Sequence, residues 1–135
     1  MADTISSYLA ASSAAIMRAR MSPARILNIS VRVLDAAHTV VDLEGVIDLQ
    51  NSPGLRTELF DKLAATSRLA LNMGGIRYID SSGIATLIEV LKKARNLKKD
   101  FVLFGLGPAV HGVLKLTNLL GVFRVFDTEE HALDS

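Results

Sequence analysis

Apolar and polar positions change period along this chain in a regular alternation. Residues 26–34 set Ile26, Ile29, Val31 and Val33 among polar neighbours, an imperfect two-residue period that predicts an edge or half-buried strand. Asp35-Ala36-Ala37-His38 supplies a turn. Thr39 to Ile47 (TVVDLEGVI) is rich in β-branched residues, which suit a pleated surface, and is expected to pair antiparallel with the first segment. At Ser52-Pro53 the pattern changes, with Ser52 as N-cap and Pro53 at the first helical position. Leu55, Leu59 and Leu63, joined by Phe60, then form one stripe of a helix over 53–65. Residues 68–73 resume strand character, and Gly74-Gly75 is expected to end it.

From Ser82 the helical period returns. Ile84, Leu87, Ile88 and Leu91 make its apolar face, and Lys92, Lys93, Lys98 and Lys99 sit near or beyond its C-terminal end, where cations are favoured. Phe101 to Phe104 reads as a short central strand, broken by Gly105 to Pro108. Val110, Val113, Leu114 and Thr117 predict another helix, residues 122–126 a last strand, and Thr128 with Glu129 and Glu130 the start of a terminal helix. The order β-β-α-β-α-β-α-β-α predicts a single α/β domain over 25–135, with a mixed sheet of about five strands and about four helices.

Residues 1–24 stand apart as an N-terminal extension, helical or disordered. Their Ala/Ser content buries little area, and Arg18 and Arg20 follow the small apolar stretch, the reverse of a secretory signal. A structural role would need Ile5, Leu9, Ile16 and Met17 to pack onto the domain or onto a second copy, so self-association stays open. Removal of residues 1–20 is expected to leave the fold intact.

Composition narrows the function by exclusion. Half of the 135 residues are hydrophobic, and 15 basic against 14 acidic residues leave a net charge of +1. That balance offers no field for direct nucleic-acid binding or an anionic membrane. The absence of cysteine excludes disulfides and thiolate metal sites, and fits a reducing, cytoplasmic setting. No apolar run is long enough to suggest a transmembrane segment. No G-x-x-x-x-G-K-[ST] loop is present, so no nucleotide or other cofactor is expected.

The chemistry concentrates in Tyr78-Ile79-Asp80-Ser81-Ser82-Gly83, at a strand-to-helix corner. Three readings meet there. As a helix cap, Asp80 or Ser81 accepts backbone N–H bonds and Gly83 permits close chain passage. As an enzyme, Ser82 would need an activating base, but no G-x-S-x-G elbow exists and His38, His111 and His131 bear no sequence relation to the site. Asp42, Glu44, Asp48 and Asp80 show no metal-ligand spacing either. As a phosphoacceptor, a serine in the first helical turn lies where free N–H groups and the positive helix end favour an added anion. Capping and phosphorylation are compatible.

Four segments in order resemble a STAS domain of the bacterial anti-sigma-factor antagonist family. They are Leu43-Glu44-Gly45-Val46-Ile47-Asp48, Asp80-Ser81-Ser82-Gly83, Leu106-Gly107-Pro108-Ala109-Val110, and Leu119-Leu120-Gly121-Val122-Phe123. The likeness runs over roughly 26–133. It implies a non-enzymatic switch that sequesters a serine-kinase anti-sigma factor while dephosphorylated and releases it once Ser82 is phosphorylated. A PP2C-like phosphatase would restore the active form. The resemblance further implies that Asp48, Asp80, Ser81, Ser82, Gly83 and Thr86 form the partner-binding surface, with Asp80 orienting or deprotonating the acceptor hydroxyl. The alternative is a STAS accessory subunit of a membrane lipid-transport ABC complex, which the Ser81-Ser82 pair disfavours. Leu49 to Gly54 departs from the resemblance, carrying Pro and Gly where many relatives are more polar and helix-like.

Overall fold

The computed structural model describes residues 26–134. The extension expected over 1–24 therefore lies outside the described residues. The elements follow the expected order: β1 (Leu27–Val33), β2 (His38–Ile47), α1 (Ser52–Ala64), β3 (Arg68–Ile79), α2 (Ser81–Leu97), β4 (Asp100–Phe104), α3 (Pro108–Leu116), β5 (Arg124–Phe126) and α4 (Glu129–Asp134). The five strands lie in sheet order β1-β2-β3-β4-β5. β1 runs antiparallel to β2, from Leu27 opposite Gly45 to Val33 opposite Thr39, and the remaining neighbours are parallel.

One sheet face carries the main core. Leu55, Leu59 and Leu63 of α1, and Leu87, Val90 and Ala94 of α2, are sealed against Val41, Ile47, Leu69, Leu71 and Leu103. Burying each Leu, Ile or Val side chain of this set contributes roughly 1.5–3 kcal/mol. The opposite face is covered by α4, where Ala132 closes over Val40, Ala70, Val102 and Phe104. At six residues α4 is too short to persist alone, so its contacts with the sheet must hold it. Near its first turn Arg32 bonds both Asp42 and Glu129. Near its end Arg68, 8% exposed, donates to the Ala132 carbonyl at 2.8 Å and pairs with Asp100 at 3.1 Å. Arg32's hydrogen bonds, first to Asp42 and then to Glu129, raise its pKa still further, while that same bond keeps the Asp42 carboxyl below its ordinary range.

The structure corrects several expectations. Gly74-Gly75 does not end β3, which runs on to Ile79. The glycines instead carry it through an irregularity, where the pairing steps from Asp42–Asn72 to Glu44–Gly75. Asn72 supports the kink by accepting the Gly74 N–H at 2.9 Å, and a side chain at position 75 would meet the Leu43 carbonyl at 2.7 Å. The last strand is three residues long rather than five, because Phe123 turns into the core instead of joining the ladder. Asn51, not Ser52, occupies the N-cap of α1, and its side chain does not cap the helix. Lys98 adopts the left-handed C-cap of α2 (φ 58°), and Lys99 serves a different helix, donating to the Leu63 and Ala64 carbonyls at the end of α1.

Because β4 pairs with β3 only as far as Asn72, β2 and β3 project beyond it, with the start of β1 alongside β2. Their last residues, Ile47 and Ile79, pair with each other. Helices α1 and α2 therefore start side by side at one rim of the sheet.

Arg68→Met should remove the bond to the Ala132 carbonyl while keeping most of the apolar stem. We expect a loss of about 1–3 kcal/mol, with faster amide exchange in α4 but not in α1. Unchanged exchange in α4 would show that Arg68 does not hold it.

Candidate functional site

The Asp80 carboxylate organises the rim. It occupies the N-cap of α2 in extended conformation, and its Oδ1 accepts the Gly83 N–H at 3.1 Å and the Ser82 hydroxyl at 2.5 Å. Its Oδ2 accepts the Leu49 N–H at 3.2 Å, tying the loop after β2 to the helix after β3. Burial alone would raise the Asp80 pKa, but bonds from the Ser82 hydroxyl and the Gly83, Ser82 and Leu49 amides outweigh it and hold the group below the ordinary carboxylate range. Such a carboxylate is a weak base at neutral pH. Its physical effect is to orient the Ser82 hydroxyl.

The facing loop is equally determined. Asp48 Oδ1 accepts the Gln50 and Asn51 amides at 3.0 and 3.1 Å. Asn51 returns the contact, accepting the Asp48 N–H at 2.9 Å and donating to the Val46 carbonyl at 3.0 Å. Ser52 donates its hydroxyl to the Asp48 carbonyl. Its oxygen also lies 3.1 Å from that of Ser82, so Ser82 is held between Asp80 and Ser52. Gly83 is needed for space rather than for φ: a methyl group there would fall 2.7 Å from both Ile47 and Ile79.

The residues singled out from sequence are thus gathered, but on different terms. Asp80, Ser81, Ser82 and Gly83 form the start of α2, with Ser81 exposed and Ser82 half-buried. Asp48 comes to the same rim, yet it is only 5% exposed, with Oδ1 facing loop amides. Thr86, also 5% exposed, lies one turn into α2. The α2 amides expected to be free for an anion are largely engaged: Ser82 and Gly83 bond the Asp80 side chain, and Ile84 bonds its carbonyl.

Sequence reading missed Ser52 as a neighbour of Ser82, and it missed Arg56 and Glu89. Leu49, Ser52 and Pro53 wall one side of a hollow of about 280 Å³, with Ser82 and Thr86 on the other. Arg56 and Glu89 join across it at 3.0 Å, each side chain about half exposed. The four-residue step from Ser52 to Arg56 puts both on one face of α1, a signal present in the sequence but uninformative until α2 is placed alongside. Among the described residues no group of three or more His, Asp or Glu could hold a metal ion, and no helix is long and apolar enough to cross a membrane.

Comparison with known proteins gives consistent results. A family model described as the STAS domain matches residues 28–132. The chain is 31% identical over 91 residues to BtrV of Bordetella bronchiseptica, whose name places it among the anti-sigma factor antagonists; the match spans 67% of this chain and 78% of that protein. In fold it is similar to an anti-sigma factor antagonist from Mycobacterium paratuberculosis, with a TM-score of 0.73 and 24% identity over 83% of this chain and 94% of that one. It is also similar to the phosphorylated form of the Bacillus cell fate determinant SpoIIAA, with a TM-score of 0.64 and 20% identity over 79% and 97% of the two chains.

Asp80→Asn should separate the two tasks of that carboxylate. An amide oxygen kept on the Gly83 N–H preserves the cap, since Asn is a good N-cap, but turns an NH₂ group toward the Leu49 N–H. We expect faster exchange of the Leu49 amide with α2 intact. The depressed Asp80 pKa contributes stability above the unfolded value of about 3.9, lost as pH falls through the folded value. The stability gap between wild type and D80N should therefore narrow below about pH 4. A gap constant from pH 7 to pH 2 would contradict this.

Proposed function

The chain belongs to the STAS-domain family of bacterial anti-sigma-factor antagonists, regulatory domains without catalysis of their own, and on that footing we propose that Ser82 is its phosphorylation switch. In the dephosphorylated state the rim formed by the 48–52 loop and the start of α2 binds a serine-kinase anti-sigma factor. Phosphorylation of Ser82 ends the association, and a PP2C-like phosphatase reverses it. The observation that carries this reading is the Ser82 hydroxyl itself: half-buried, aimed by Asp80, and set beside the exposed side chains of Ser81 and Leu49, the latter 72% exposed.

The transfer balances simply. Ser82 Oγ forms a bond to the γ-phosphorus of ATP held by the kinase, the bond to the β-phosphate oxygen breaks, and ADP leaves. Asp80 aims the hydroxyl, and its proton passes to a base of the kinase. The product sets a charge of about −1.5 to −2 beside the Asp80 carboxylate and against a partner fitted to a neutral hydroxyl. Asp48 supports the surface from within by fixing the loop, and Thr86 adds only a small exposed area to the floor of the hollow.

Incubation with the cognate kinase and ATP, followed by peptide mass spectrometry, should place the phosphate on Ser82. Phosphate on Ser81 or Thr86 alone would overturn the assignment. Ser82→Asp should weaken kinase binding about 5- to 150-fold, the equivalent of losing a contact of about 1–3 kcal/mol. Ser82→Ala should still bind and resist modification. Equal dissociation constants for wild type and S82D, measured calorimetrically, would rule out charge as the release signal.

A further inference from the structure

We infer that Arg56 is the acceptor, within this chain, for a phosphoryl group on Ser82, giving up its ion pair with Glu89 to bind it. The inference rests on Ser82 being the modified residue. A phosphate there meets a cap largely taken: the amides of Ser82 and Gly83 belong to the Asp80 carboxylate, and that of Ile84 to the Asp80 carbonyl. Asp80 Oδ1, only 2.5 Å from the hydroxyl oxygen, repels the incoming anion. The phosphate must turn outward, and the hollow shared by α1 and α2 is the space that Ser82 borders.

Among the described residues lining that hollow, Arg56 is the cation. It lies four residues after Ser52, or about 6 Å along α1, and the Ser52 hydroxyl is 3.1 Å from that of Ser82. Side chains on a helix lean toward its N-terminus, so Arg56 is set to reach back toward the rim. Its present partner Glu89 lies seven residues past Ser82, about 10 Å down α2. Arg56 thus stands between the two anionic positions.

The exchange favours the phosphate. An exposed Arg–carboxylate pair is weakly held, whereas a guanidinium matches a phosphate dianion with two parallel bonds. Glu89 does not lose all support, because Lys93 follows it by four residues on α2, the favourable order for such a pair. Lys93 now stands over the Phe60 ring at 5.8 Å, the same ring that Arg56 covers at 5.8 Å. Modification of one serine therefore changes the surface twice, adding a phosphate at the rim and withdrawing a cation from Glu89.

The test uses the full chain with phosphoserine incorporated at position 82 during synthesis, so no kinase is required. The second ionisation of the phosphate, ordinarily near pH 6, is followed by phosphorus NMR. With Arg56 present the midpoint should lie lower than in Arg56→Gln by about half a pH unit or more. Asp80, which pushes the midpoint upward, is common to both proteins. Arg56→Lys should restore part of the shift, and Glu89→Gln should leave it intact or enlarge it. Equal midpoints for wild type and R56Q, in proteins whose amide spectra show the same fold, would overturn the inference. A lowered midpoint combined with kinase labelling elsewhere than Ser82 would leave the Arg56 contact standing and remove the phosphorylation reading.

Discussion

The parallel pairing of β2 and β3 through Ile47 and Ile79 determines nearly everything at the functional rim. Two strands that end level with one another deliver their following segments to the same place, so α1 and α2 begin as neighbours. The ladder continues past the strands, with the Asp80 N–H bonding the Ile47 carbonyl at 3.1 Å. Asp80 then faces both ways, toward its own helix through Gly83 and toward the other chain segment through Leu49. The Ser52–Ser82 contact and the Arg56–Glu89 pair are later rungs of the same side-by-side arrangement. If β3 stopped at its glycine pair, these rungs would not line up.

Electrostatically the site is arranged for a neutral hydroxyl. Hydrogen bonds to a carboxylate are stronger than those between neutral groups, and Asp80 accepts several. Saturation of the helix start by a carboxylate within the chain has a specific effect. The α2 macrodipole already faces a carboxylate, so it cushions a second anion less than an unoccupied helix start does. The rim tolerates serine and resists charge.

Much of this was legible in the sequence. The β-branched run of β2, the Leu55-Leu59-Leu63 stripe and the apolar face of α2 were read from periodicity, because a single buried face leaves a strong repeat. The fold class and the Asp80-Ser81-Ser82-Gly83 corner followed from the order of those elements. Gly74-Gly75 misled because glycine marks a chain break and a strand irregularity alike, and only the neighbouring strand distinguishes them. Asp48 carries an equally ambiguous signal, since an acid in a loop can face a partner or bond its own backbone. Arg56 and Glu89, 33 positions apart, acquire meaning only when two helices lie together.

The antiparallel course of β1 decides how the chain can be handled. Leu27 lies opposite Gly45, near the end of β2, so Ile26 joins the sheet at the rim that carries Ser82. There Gly45 adopts φ 121° and lies so close to the Ile26 carbonyl that a side chain could not fit. The chain after β5 runs the other way across the back of the sheet, and Ala132 finishes beside Arg68, at the opposite edge. A fluorophore or affinity handle attached at Ile26 therefore shares its edge with the serine, while one attached at the end of α4 is separated from it by the length of β3.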